Sequence, residues 1–271
     1  MAMDDKIFGI TTLLYLFLCF AHILYFVLKK EKIILIIWAT LWTALGLLTT
    51  GLILRWMESY KLGIGHVPLS NLYESLIFFV WSINLPLVIL KKKLYHPAIT
   101  CLVSVVALFL MGFASISPSI EKGIQPLVPA LKSNWLHIHV ITCFIAYGAF
   151  TISFVCSALY LTGYKWKTLP LKMLEEINYK SIIIGFPMLT SGIITGAVWA
   201  QYAWGSYWRW DPKETWSLVT WIVYALFLHV RQTRNWRGKT AAIISVAGFL
   251  TVMFNYFVVN FILTGLHSYA T

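Results

Sequence analysis

Uninterrupted apolar runs of about twenty residues recur along the whole chain, each long enough to cross a hydrocarbon core about 30 Å thick. Eight can be read, at roughly Ile7–Leu28, Ile33–Leu54, Leu72–Leu90, Pro97–Ile116, Trp135–Gly163, Ile182–Tyr202, Trp216–Val230 and Thr240–Leu263. In lipid every backbone polar group must find its partner within the protein, so such runs are read as helices. The expected fold class is an all-α, polytopic membrane helix bundle of about eight transmembrane helices. With 59% hydrophobic and 11% charged residues, the 271-residue chain lacks the polar surface that a large water-soluble domain would need. No Gly/Ser linker or internal repeat divides it, so residues 1–271 are expected to form a single integral membrane domain. The first run has no basic segment before it and no A-x-A site, and it reads as a span, not a cleaved signal peptide.

The net charge of +11 reports topology. Lys29, Lys30, Lys32, Lys91, Lys92, Lys93, Lys165, Lys167, Lys172, Lys180, Arg231, Arg234, Arg237 and Lys239 fall in one set of loops. The alternate set has only Lys6, Arg55, Lys61, Lys122, Lys132, Arg209 and Lys213. By the positive-inside rule the richer set is cytoplasmic or stromal, and both termini lie on the non-cytoplasmic side. An even span count requires the same. No nucleic-acid partner is implied. Cys19, Cys101, Cys143 and Cys156 lie in apolar runs without CxxC spacing and read as buried apolar residues. Without CxxCH the chain is not itself a c-type cytochrome.

The outer loop 203–215 and its flanks form the most distinctive stretch, Trp204-Gly-Ser-Tyr-Trp-Arg-Trp-Asp-Pro-Lys-Glu-Thr-Trp216. An interfacial aromatic belt accounts for one or two such residues. It does not account for Trp204, Tyr207, Trp208, Trp210 and Trp216 interleaved with Arg209, Asp211, Lys213 and Glu214. Rigid indole faces suit a large planar apolar ligand. Arg209 and Lys213 could pair with its carboxylates, while Asp211 and Glu214 could hold the loop or orient a liganding imidazole. Haem fits, and on spacing alone a quinone or another porphyrin fits equally.

Among seven histidines, His139 and His267 fall near the outer ends of the fifth and eighth spans and could flank the loop as two axial ligands. His229 lies about 20 Å along the seventh span, near its inner end, where an ionisable residue is a functional candidate. His22, at similar depth in the first span, reads as a packed polar residue. His96 reads as a loop residue, His137 points away from His139 on a helix, and His66 stays unassigned. Glu74 needs a partner, while Ser70 and Asn71 suit the N-cap of its helix.

WGSYWRWDPKETW resembles the haem-handling WWD membrane proteins, and in particular the CcsA family, the cytochrome c synthase component of the system II maturation pathway. CcmC and CcmF of system I share the WG…WxWD core with a different continuation. Asn71–Ser75, Ser133–Val140, Leu228–Arg231 and Asn255–Ala270 are similar to further segments of the family, in family order. The resemblance implies haem b as substrate, His139 and His267 as outer iron ligands, and His229 at an inner haem position. It also implies a separate CcsB-like membrane subunit, apocytochrome c with CxxCH as acceptor, thioether formation, and a bacterial plasma membrane or thylakoid location. Attachment would proceed by positioning, without a nucleophile of the chain's own. The rival readings are a haem transporter or chaperone lacking ligase activity, and a quinone-binding respiratory subunit.

Overall fold

The computed structural model describes residues 3–90, 96–163, 169–234 and 236–262. Among these, eight long helices account for nearly all regular structure, and the chain divides into two compact units, Met1–Val128 and Pro129–Thr271. The boundary falls in a loop that carries Pro118, Pro126 and Pro129 but no Gly/Ser tract.

The first unit contains α1 (Met3–Leu28), α2 (Glu31–Lys61), α3 (Leu72–Ile89) and α4 (Pro97–Ile116). α1 packs on α2 and α4, and α3 packs on the same two helices. Leu41, Leu48, Leu76, Ile77, Phe79 and Val80 are fully buried between them. α1 and α2 meet closely because position 51 is glycine. A Cβ there would lie 2.5 Å from Phe8 Cε1.

The end of this unit that holds the N-terminus of α3 is closed by an ion network. Arg55, 2% exposed, donates from Nε to Glu74 Oε1 at 2.8 Å, from Nη1 to Asp4 Oδ2 at 2.9 Å and from Nη2 to the Lys122 carbonyl at 2.7 Å. Glu74 Oε2 accepts from both the backbone N–H and the hydroxyl of Ser70, and Asn71 Oδ1 caps α3 through the Glu74 N–H. The partner that Glu74 needed is therefore Arg55. Sequence spacing had put Arg55 in a loop, but α2 runs on to Lys61 because Arg55 can bury its charge against two carboxylates.

His22 is the packed polar residue expected, with Nδ1 donating to the Leu18 carbonyl at 2.7 Å and Nε2 set 2.9 Å from Thr100 Oγ1. His96 caps α4 by accepting from the Ala98 N–H. His66 is buried, its ring nitrogens 2.9 Å from the Val67 carbonyl and 3.0 Å from the Gln125 carbonyl.

The second unit contains α5 (Asn134–Leu161), α6 (Leu171–Trp204), α7 (Pro212–Thr233) and α8 (Gly238–Met253). α8 continues through a π-helical turn, Phe254–Val258, into Val259–Phe261. α5 packs along α6 and against α8, while α7 packs against α8 and α6. Phe150, Ile182, Tyr224, Phe227 and Val252 form the centre of the core, with the Phe150 and Tyr224 rings stacked at 3.7 Å. α6 begins eleven residues before the expected span at Ile182. The segment 171–180 is helical, and three of its four charges are paired: Glu175 with Arg231, and Glu176 with Lys180.

Seven of the eight helices are long and apolar enough to cross a membrane. α7 forms where the span Trp216–Val230 was expected, but Lys213, Glu214, Arg231 and Gln232 at its ends shorten its apolar stretch. Cys143 and Cys156 are buried, whereas Cys19 and Cys101 are only partly so.

Candidate functional site

The tryptophan loop is shaped by its own charges. α6 ends at Trp204, and Gly205 stops it in the left-handed conformation at φ 73°. α7 then starts with a reciprocal capping box. The Asp211 side chain accepts from the first-turn backbone, including the Lys213 N–H at 2.9 Å, and Glu214 Oε2 reaches back to the Asp211 N–H at 3.2 Å. The same Oε2 accepts from the Arg209 N–H at 2.7 Å. The Arg209 guanidinium donates to the Trp204 carbonyl, closing the loop across its mouth. Asp211 and Glu214 thus hold the loop in shape.

Glu214 Oε1 is buried and has no hydrogen-bond partner among the described residues. A buried acceptor left open in this way is costly unless a donor arrives.

This scaffold leaves aromatic surface outward. Trp210 adopts φ 59° and is 68% exposed, and Tyr207 is exposed beside it. Trp208 and Trp210 meet edge to face at 5.8 Å. Trp216 faces the other way and packs on Phe254 in the π-helical turn at 4.0 Å.

His139 joins the loop through a residue that sequence reasoning missed. Its ring stacks on Trp199 at 6.2 Å and 17°, and Trp199 meets Trp204 edge to face at 4.8 Å. Trp199 is anchored in turn by Nε1 donating to the Ala130 carbonyl at 2.8 Å. The imidazole approaches α6 because positions 192 and 196 are glycine. A Cβ at Gly196 would lie 2.6 Å from His139 Nδ1, and one at Gly192 would lie 2.5 Å from Cys143 Sγ. His139 Nδ1 lies 2.7 Å from the Gly192 carbonyl. A carbonyl only accepts, so Nδ1 carries the proton and the ring lone pair sits on Nε2, the tautomer a metal-ligating histidine takes. The glycine pair, four residues apart on one helix face, was the readable signal.

Lys213 is one of two basic residues that could pair with ligand carboxylates. Its Nζ instead donates to Asn260 Oδ1 at 2.7 Å. Burial pushes the ammonium down to about 8, opposed by Asp211 and Cys143 nearby.

His229 lies at the other end of α7 and is exposed, on a face shared with Ile222 and Leu226. His137, also on α5, is half-buried. His267 lies outside the described residues. The structure therefore brings together His139, Trp204, Arg209, Asp211 and Glu214, with Trp208 and Trp210 on the loop, Trp216 on its inner side and His229 far along the helix.

A sequence model of the family described as cytochrome C assembly protein matches residues 69–267. The cytochrome c biogenesis protein CcsA of Guillardia theta is 41% identical, over 84% of this chain and 83% of that protein. CcsA of Chlamydomonas reinhardtii is 44% identical over 82% of this chain and 65% of its own length. CcsA of Parasynechococcus marenigrum is 37% identical over 82% of each. Among solved structures, the cytochrome c heme lyase CcmF matches 94% of this chain with a TM-score of 0.72 at 15% identity, and the match spans 47% of the CcmF chain. This chain belongs to the CcsA family of cytochrome c assembly proteins.

Proposed function

We propose that this chain holds haem at the non-cytoplasmic face of its membrane and presents it for covalent attachment to apocytochrome c. The observation that carries the reading is His139: an imidazole with its proton fixed on Nδ1 by Gly192, stacked on Trp199 and joined through Trp204 to a shelf of indoles. Such a group fits one axial position of a haem iron through Nε2.

His267 is the second outer ligand in this reading, on the strength of the family pattern. Glu214 Oε1, without a partner among the described residues, suits the ring N–H of such an imidazole. Trp208 and Trp210 then flank the porphyrin, and Arg209 at the loop mouth suits a propionate.

Haem b is the substrate, and the chain's part is to bind, orient and exclude water. Each CxxCH thiol of the acceptor adds across one haem vinyl group. A C–S bond forms at one vinyl carbon, the thiol hydrogen goes to the other, and no net oxidation occurs. Holding thiol and vinyl together supplies several kcal/mol of barrier reduction.

His229 marks an inner haem position. Its exposed place on α7 supports a site completed by a second chain, a CcsB-like subunit in a system II synthase, since an ionisable residue facing lipid is expensive. The membrane is bacterial plasma membrane or thylakoid.

The test is His139→Ala. Protein purified with its partner should lose the six-coordinate low-spin spectrum, and thioether formation on a reduced CxxCH peptide should fall at least about a hundredfold, which corresponds to roughly 2.7 kcal/mol. Added imidazole should restore part of both. Normal maturation by the variant would refute the outer site. Haem binding without thioether formation by the wild-type complex would leave a chaperone.

A further inference from the structure

Three contacts converge on the last turns of α8. Trp216, from the start of α7, packs on Phe254. Phe144 of α5, next to Cys143, meets Tyr256 edge to face at 5.9 Å. Between these, Lys213 Nζ donates to Asn260 Oδ1, and Asn260 Nδ2 donates to the Tyr256 carbonyl. Asn260 is 1% exposed.

The local backbone makes this arrangement expensive. Phe254–Val258 is π-helical, and one inserted residue rotates everything beyond it by about 100° relative to a continuous α-helix. Without the insertion the Asn260 side chain would leave the face that Lys213 reaches. Asn255 Oδ1, in the same turn, is buried with no hydrogen-bond partner among the described residues. An ammonium group withdrawn from water adds a further cost, visible in its lowered pKa. Such unfavourable features persist where surrounding contacts over-determine them, and they gather at functional sites. Here they gather where three elements meet: the His139 end of α5, the exit of the tryptophan loop, and the part of the chain that leads to His267.

We infer that Lys213 and Asn260 are a positioning pair for haem ligation, whose hydrogen bond locks the π-helical turn of α8 to the tryptophan loop beside the His139 end of α5 and so sets the geometry in which the iron is held. This rests on the haem reading above. It adds a residue pair to which neither iron coordination nor contact with the macrocycle is assigned.

The experiment compares visible spectra of wild type, Asn260→Leu, Lys213→Met and Asn260→Gln, each purified with its bound haem. Asn260→Leu and Lys213→Met should keep haem but exchange the six-coordinate low-spin spectrum for a mixture containing five-coordinate high-spin iron, and added imidazole should return it to low spin. Asn260→Gln, which keeps an amide oxygen for the ammonium and an amide N–H for the Tyr256 carbonyl, should retain a mainly low-spin spectrum. A wild-type spectrum in Lys213→Met or Asn260→Leu would overturn the inference, as would an Asn260→Gln spectrum matching that of Asn260→Leu. If Asn260→Leu does not accumulate, the other two variants decide. A wild-type protein without haem would instead remove the haem reading, and this inference with it.

Discussion

Trp210 combines a left-handed backbone at φ 59° with an indole that is 68% exposed. A non-glycine residue in that region costs on the order of 1–2 kcal/mol, and an exposed ring recovers little of it by burial. Glycine would fold there more easily. Trp210→Gly should therefore leave the melting temperature in detergent unchanged or raised, while thioether formation falls at least about tenfold, or ~1.4 kcal/mol. Full activity in that variant would mean the indole does not touch haem. The clustering of five aromatics with four charged residues in one loop was legible in the sequence, although Trp216 turns out to pack on Phe254. The strain at Trp210 was not, because it follows from loop closure by the Glu214 carboxylate on two N–H groups. Trp199 was missed because a tryptophan inside an apolar run reads as core until its contact with His139 is seen.

Among the elements, α2 and α3 carry the clearest structural demand. Arg55, Asp4 and Glu74 are each at most 3% exposed, and the guanidinium serves both carboxylates. Removing one member of a buried ion network strands the others at a cost of about 3–5 kcal/mol. Arg55→Met should abolish accumulation of the protein in membranes. Adding Asp4→Asn and Glu74→Gln to the same chain should restore it, measured by immunoblot and thermal melting. Failure of the triple variant would show that the guanidinium has a role beyond charge neutralisation. Apolar periodicity located all eight helices yet misjudged their ends. It stopped α2 at Leu54 and started α6 at Ile182, since charged residues were counted as outside wherever they occurred. Charges paired across helices, such as Arg231 with Glu175, remain compatible with helix.

For the molecule as a whole, fold class and family were readable because both are written in long, redundant patterns: apolar runs, and motifs spread over residues 69–267. The division into two compact units was not readable, since no change of composition marks Val128–Pro129. His229 belongs to this scale, because its exposed imidazole on α7 is proposed to belong to a site completed by a second chain. His229→Ala should lower the haem that co-purifies with the complex while leaving the spectrum of the remaining haem unchanged. Undiminished haem would remove the inner position. The glycines at 192 and 196 carry a last consequence. Because hydrogen atoms alone separate α6 from the Cys143 thiol and the His139 ring, the height of that imidazole is gauged by two rigid main chains. A single added methyl at position 196 would press on the imidazole itself, and one at position 192 on Cys143, one turn further along the same helix.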